Sequence, residues 1–139
     1  MQGTSIQTVG SEVSEDCLYL NVYTPPVAEE SEEGAALLPV MIFFYGGSWS
    51  TGTSTCPVYW GDSFVANSNH SVILVTVNYR LNGFGFLGAE AMRDTESDGA
   101  DHGSTGNWGL LDQRASMRWV QEHAEAFGGD PNKVSQSHT

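Results

Sequence analysis

Two apolar runs constrain this chain more than anything else in it. One is Val40 to Phe44 inside "LLPVMIFFYGG" (37–47), and the other is Val72 to Val77 inside "SVILVTVNYR" (71–80). Neither alternates polar with apolar as a strand with one wet face would. Continuous runs of this length suit strands covered on both faces, which is how parallel sheets are built. Periodicity alone also allows buried helices. The enrichment in Val, Ile and Thr, and the bounding residues Pro39, Gly46 and Gly47, favour strands.

Parallel strands need a crossover, and "WSTGTSTCPVYWGDSFVANSN" (49–69) is long enough to be one, with a short helix expected around "SFVAN". Upstream, "CLYLNVYTP" (17–25) alternates. Leu18, Leu20 and Val22 share one face and Tyr19, Asn21 and Tyr23 the other, a strand closed by Pro25 and Pro26. Residues 1–14 read as polar and loose, and "VAEESEEGAA" (27–36) as an acidic surface loop. "RDTESDGADHGSTGN" (93–107) is the longest polar, turn-rich stretch and reads as a surface loop. "GLLDQRASMRWVQEHAEAFGG" (109–129) predicts a helix whose apolar stripe is Leu110, Met117, Val120, Ala124 and Phe127. Gly128 and Gly129 would stop it, with Pro131 just beyond and "KVSQ" opening a new strand. The order of elements is that of an α/β domain around a mostly parallel sheet.

A hydrophobic share of 40% against 16% charged residues excludes a disordered chain. With 5 basic and 17 acidic residues the net charge is -12, which repels nucleic acid and anionic membranes. No stretch has the length of a membrane-spanning helix, and "MQGTSIQTVG" lacks the basic and apolar regions of a signal peptide, so localisation is left unassigned. Cys17 and Cys56 allow one disulfide or none, and cannot make a zinc site that needs about four ligands. Asn69 opens the sequon "NHS", which matters only in a secreted protein.

The chemistry is concentrated in "FFYGGSW" (43–49). A buried strand that runs into two glycines must turn sharply, and glycine permits both the dihedrals and close approach of a ligand. Backbone N–H groups aimed together at one point stabilise developing negative charge, as in an oxyanion hole. An ordinary tight turn would carry the same two glycines, so the loop alone leaves both readings open.

Read together, "EDCLYLNVYTP", "PVMIFFYGGSW", "VNYRLNGFGFLG" and "GNWGLLDQRASMRWVQEHAEAFGGDPNKV" resemble, in that order, the type-B carboxylesterase family, which includes the cholinesterases. The resemblance spans Glu15 to Val134 of a single domain over 1–139, with 135–139 a divergent tail. It implies part of an α/β-hydrolase fold: a mostly parallel central sheet with an N-terminal antiparallel edge, incomplete within these residues. It also implies a serine hydrolase acting on small-molecule carboxylic esters, without cofactor or metal. Gly47 and Ser48 would be oxyanion-hole donors through their backbone N–H groups, and Gly46 would shape the loop. Cys17 would be half of a family disulfide with an upstream partner. Asn82 stands where the family usually has glycine, and asparagine also tolerates left-handed dihedrals.

In that family the strand after "FGGDPNKV" leads into a Gly-x-Ser-x-Gly nucleophile elbow, with the acid and histidine further on. Here "SQSHT" occupies that place, and "GGSWS" (46–50), "GTSTC" (52–56) and "GDSFV" (61–65) each lack the final glycine. The expectation is a truncated esterase chain without Ser nucleophile, acid or His, inactive alone and prone to aggregate. His70, His102, His123 and His138 are the general-base candidates, with no serine and carboxylate gathered around any of them. Arg80, after a buried strand, needs a carboxylate, and Glu15 or Asp16 are the expected partners. "DTESDGADHGST" (94–105) places carboxylates as a calcium loop would but has Thr105 where a bidentate glutamate is required, so it reads as a solvated acidic loop. Trp49, Tyr59, Trp60 and Trp108 are candidates to line a substrate gorge or simply to pack. Two other readings stay open: a non-catalytic adhesion relative of the neuroligin type, and a truncated product without function.

Overall fold

The computed structural model describes residues 14–26, 36–93, 95 and 102–138. The strands predicted around the two apolar runs are β2 (Leu38–Phe44) and β3 (Ile73–Val77), and β1 (Leu20–Tyr23) lies within the alternating segment. With β4 (Gly129–His138) they form a four-stranded sheet in the order β1-β3-β2-β4. β1 runs antiparallel to β3, while β3, β2 and β4 are mutually parallel. The sheet is therefore mostly parallel with an N-terminal antiparallel edge.

Strand alternation sorts the core into two layers. Val40, Ile42 and Phe44 of β2 and Ile73, Val75 and Val77 of β3 are almost wholly buried in one cluster with Val120 and Ala124. These last two belong to or follow α3 (Trp108–His123), which covers that face. On the other face Asn21 Nδ2 donates to Thr76 Oγ1 at 3.0 Å, satisfying a hydroxyl that is 0% exposed. A six-residue helix, α1 (Asp62–Asn67), lies on the crossover where "SFVAN" predicts it and buries Val65. Gly61, just before it, sits so close to the Tyr23 ring that an added Cβ would lie 2.5 Å from it.

Three expectations are corrected here. The apolar stripe of the long helix is narrower than predicted: Leu110 and Phe127 are 44% and 40% exposed. α3 ends at His123, and Ala124–Phe127 continue as a tighter turn with about three residues per turn, which swings Phe127 off the buried face. Next, the predicted stop falls at Gly128, with φ of 79°, but β4 begins at once at Gly129, ahead of "KVSQ". Pro131 thus lies inside the strand, beside a register shift opposite Leu38 and Val40, the position that an edge strand tolerates. Residues 135–138 continue the pairing, Ser135 with Met41 through His138 with Phe44.

The third correction concerns Arg80. Its partner is Asp112 of α3, not Glu15 or Asp16: the guanidinium reaches both carboxylate oxygens at 2.7 and 2.8 Å, and the Arg80 N–H adds a bond at 3.0 Å. Cys17 and Cys56 are both free, so the bridge that two cysteines allow between them is not made. The polar N-terminal segment through residue 13, the acidic loop through residue 35 and most of the acidic stretch 94–101 lie outside the described residues.

Candidate functional site

The end of β2 is sealed in the core, with Phe44 at 0% and Tyr45 at 3% exposed, and the chain then turns outward in two residues. Gly47 takes φ of 136° and an added Cβ there would lie 2.0 Å from the Thr51 carbonyl oxygen, so only glycine fits. Ser48 and Trp49 follow at φ of 55° and 61°, an uncommon consecutive left-handed pair.

The Gly47 carbonyl is fully engaged by this turn. It accepts from the N–H groups of Ser50 and Thr51, both at 3.1 Å, and from their hydroxyls at 3.1 and 3.3 Å. In a planar trans peptide the carbonyl and the next N–H point in opposite directions. The Ser48 N–H is thereby directed away from the turn, and none of these bonds uses the N–H of Gly47 or Ser48.

α2 (Asn82–Phe86) holds the loop from the β3 side. The Asn82 N–H donates to the Trp49 carbonyl at 2.8 Å and its side-chain Nδ2 to the Ser50 carbonyl at 2.7 Å. Asn82 itself has φ of 52°, the left-handed conformation that the sequence allows at this position. Its clamp on the loop was not legible beforehand, because the 32-residue separation gives no local signal. Trp49 packs edge-on against Tyr79 and Phe86, at 6.0 and 5.2 Å. Beneath it Tyr45 and Tyr79 stack at 4.7 Å, each hydroxyl donating to the other's carbonyl, at 3.3 Å from Tyr45 and 2.6 Å from Tyr79. Burial pushes the Tyr45 phenol up to about 12.

Loop 46–49 borders a cavity of about 650 Å³ between the end of the sheet and α3. Tyr45 and Tyr79 form part of its wall; Gln113 and Met117 enter from α3, Gln136 and His138 from β4. His138 stacks on Phe44 at 5.3 Å, on the α3 side of the sheet. Ser137 pairs with Phe43 and so faces the opposite side, which separates the adjacent Ser137 and His138. Ser48 and His138 share the cavity, and among the described residues no carboxylate lines its wall. His123 is remote, stacked on Trp119 at 4.5 Å with Nδ1 against the Trp119 carbonyl at 2.8 Å, and His70 and His102 are exposed. The described lining of this cavity thus holds a serine and a histidine without a carboxylate.

Of the candidate gorge aromatics, Trp49 alone lines this cavity. Tyr59 packs on Phe43 at 5.1 Å, Trp60 is 56% exposed, and Trp108 lies 5.9 Å under the Arg80 guanidinium. A second hollow of about 470 Å³ runs between β1 and α3, lined by Leu18, Tyr19 and Trp119, away from the glycine loop. No His, Cys, Asp and Glu cluster among the described residues could hold a metal ion, and no described helix is long and apolar enough to cross a membrane.

A mostly parallel sheet with a strained glycine loop at a strand's end, opening on a cavity, defines an α/β protein with a candidate site at that loop. Residues 1–136 match the model of the carboxylesterase family, and the chain belongs to that family. It is 42% identical over 122 residues to a para-nitrobenzyl esterase of Bacillus subtilis (strain 168), and 43% identical over 122 residues to a fumonisin B1 esterase of Sphingopyxis macrogoltabida. Each match covers 88% of this chain but only 22% and 20% of those proteins. A solved para-nitrobenzyl esterase structure superposes with a TM-score of 0.73 at 38% identity, over 95% of this chain and 25% of that one. The fold is that of α/β-hydrolase esterases, and the chain spans about a fifth of the length of the relatives it matches.

Proposed function

We propose that these residues form the oxyanion-binding part of a serine carboxylic ester hydrolase. Gly47 and Ser48 donate backbone N–H groups to the oxygen that becomes negative in the tetrahedral intermediate, and Gly46 shapes the approach of the loop. The observation that carries this is the peptide between Gly47 and Ser48, whose carbonyl is tied inward by four hydrogen bonds, so that the following N–H faces away from the turn. Donors fixed before the reaction need no reorganisation when charge develops, which is where such a hole gains its effect. The esterases among the relatives support the substrate class. No matched relative named here favours an adhesion role over it.

Acyl transfer also needs a nucleophile and a base; these 139 residues contain no Gly-x-Ser-x-Gly elbow, and no carboxylate among the described residues lines the cavity that Ser48 and His138 share. The 139-residue polypeptide by itself is therefore a binding scaffold without turnover. Two measurements test this. Short-chain aryl esters incubated with the polypeptide should hydrolyse no faster than in buffer. A methylphosphonate monoester, a stable tetrahedral anion, should shift the backbone amide resonances of Gly47 and Ser48 in a saturable way. Hydrolysis that scales with protein concentration would refute the absence of turnover, and unmoved Gly47 and Ser48 amides would refute the oxyanion assignment.

A further inference from the structure

We propose that Gln113 is a second anchor in the cavity, donating its side-chain amide to an oxygen of a neutral ester other than the carbonyl oxygen held at Gly47 and Ser48. This rests on the reading of the loop given above and deepens it to a substrate class.

Gln113 is only 6% exposed, and its Nε2 has no hydrogen-bond partner among the described residues. Leaving a buried amide donor without an acceptor costs stability, so one on a cavity wall is suited to take its acceptor from a ligand. The terminal torsion of glutamine is broad, so a small rotation carries Nε2 toward the lumen. The other buried polar groups of the wall are already committed: the Tyr45 and Tyr79 hydroxyls are spent on each other's carbonyls. Gln113 is thus the buried donor left for a ligand, one face away from the glycine loop across the same 650 Å³ space.

The charge pattern selects the acceptor. Among the described residues no Lys or Arg borders the cavity, and the chain carries a net charge of -12. Away from the Gly47 and Ser48 N–H groups, a carboxylate on the Gln113 side would meet no counter-charge, which burial penalises heavily. The acceptor is accordingly a second neutral oxygen, such as that of a diester, an ether or an amide. Trp49, Leu110 and Met117 supply apolar wall for the hydrocarbon that joins the two oxygens. The class assigned is neutral esters carrying a second oxygen acceptor.

Dimethyl succinate and methyl hexanoate, similar in length but differing in the second carbonyl, are titrated at low ionic strength into the isotope-labelled chain and followed by NMR. Both should move the Gly47 and Ser48 amides. Only the diester should move the Gln113 side-chain amide, and it should bind about five-fold tighter, the value of one good neutral hydrogen bond. In Gln113→Leu the two probes should bind alike, with methyl hexanoate unchanged from the wild type. Removing an unpaired polar atom leaves this variant folded; should it unfold nonetheless, the wild-type Gln113 signals decide. A diester that binds without moving those signals, or an advantage that survives in Gln113→Leu, overturns the proposal while leaving the loop assignment intact. If Gln113 responds but Gly47 and Ser48 do not, the loop assignment falls and Gln113 remains a ligand donor. If neither probe moves any of the three residues, both readings fall.

Discussion

Gly47 shows how far a single residue can fix a site. Its φ of 136° and the 2.0 Å approach of a hypothetical Cβ to the Thr51 carbonyl oxygen mean that no side chain fits without unwinding the turn. Gly47→Ala should therefore cost on the order of 2–3 kcal/mol, as a forced left-handed alanine plus a backbone clash. It should also release the Gly47 carbonyl from Ser50 and Thr51. Urea unfolding checks the first effect, and faster hydrogen exchange at the Ser50 and Thr51 amides checks the second; protected amides in a destabilised variant would show that the turn has another source of rigidity.

At the same scale, Tyr45 couples the site to pH. Its phenol has an unfolded-state value of about 10 and is raised to about 12 in the fold, chiefly by burial. The neutral form is thus favoured in the native state. The stability it contributes is complete below the unfolded value and is lost as pH rises through the folded one, because the unfolded chain gives up that proton first. Between about pH 10 and 12 the chain should lose on the order of 2 kcal/mol from this residue, and Tyr45→Phe should flatten that part of the stability curve. Equal slopes in the two proteins would remove Tyr45 as the cause. The pair of glycines made this loop legible in the sequence. The Tyr45–Tyr79 exchange of hydroxyls and carbonyls was not, since it joins positions 34 residues apart with no periodicity between them.

Among the elements, the strands with covered faces were readable because burial on both sides leaves a compositional mark. β4 resisted for the converse reason. "GDPNKVSQSH" is rich in turn formers, and local propensity favours a loop; pairing with β2 at Gly129 and again from Val134 to His138 overrides that preference. The helix was readable, but its partner was not: Asp112 looks like a surface residue in a row of polar positions, yet it is 9% exposed and anchors α3 to the end of β3 through Arg80. The same junction has Gly85 and Gly109 packed against the Arg80 carbonyl, where an added Cβ would lie 2.1 and 2.4 Å away. Breaking a fully buried pair costs about 3–5 kcal/mol, but the Arg80 side chain is 36% exposed and can turn to water, which lowers the expectation for Asp112→Asn to about 2 kcal/mol. The loss should appear in chemical unfolding and survive in high salt, because a bidentate, half-buried contact is weakly screened. A variant that unfolds at the wild-type midpoint would mean that the helix is held by its apolar face alone.

For the whole molecule two long-range properties oppose each other. The described sheet ends at β4, a strand with one edge unpaired within the described residues, and such an edge is a template for pairing with another chain. The net charge of -12 works against that encounter, since two like-charged chains repel until ions screen them. Screening length falls from about 30 Å at 0.01 M salt to about 10 Å at 0.1 M, so the balance shifts within an ordinary range of buffers. The polypeptide should sediment as a monomer at low ionic strength and associate progressively as salt is added, the reverse of an assembly held by ion pairs. Association through β4 should also slow hydrogen exchange at alternate amides of Val134–His138, the ones that face outward from the sheet. If salt leaves the sedimentation unchanged, charge is not what keeps the edge apart. If association comes without protection in β4, the contact lies elsewhere, and the apolar hollow at Leu18, Tyr19 and Trp119 becomes the surface to test.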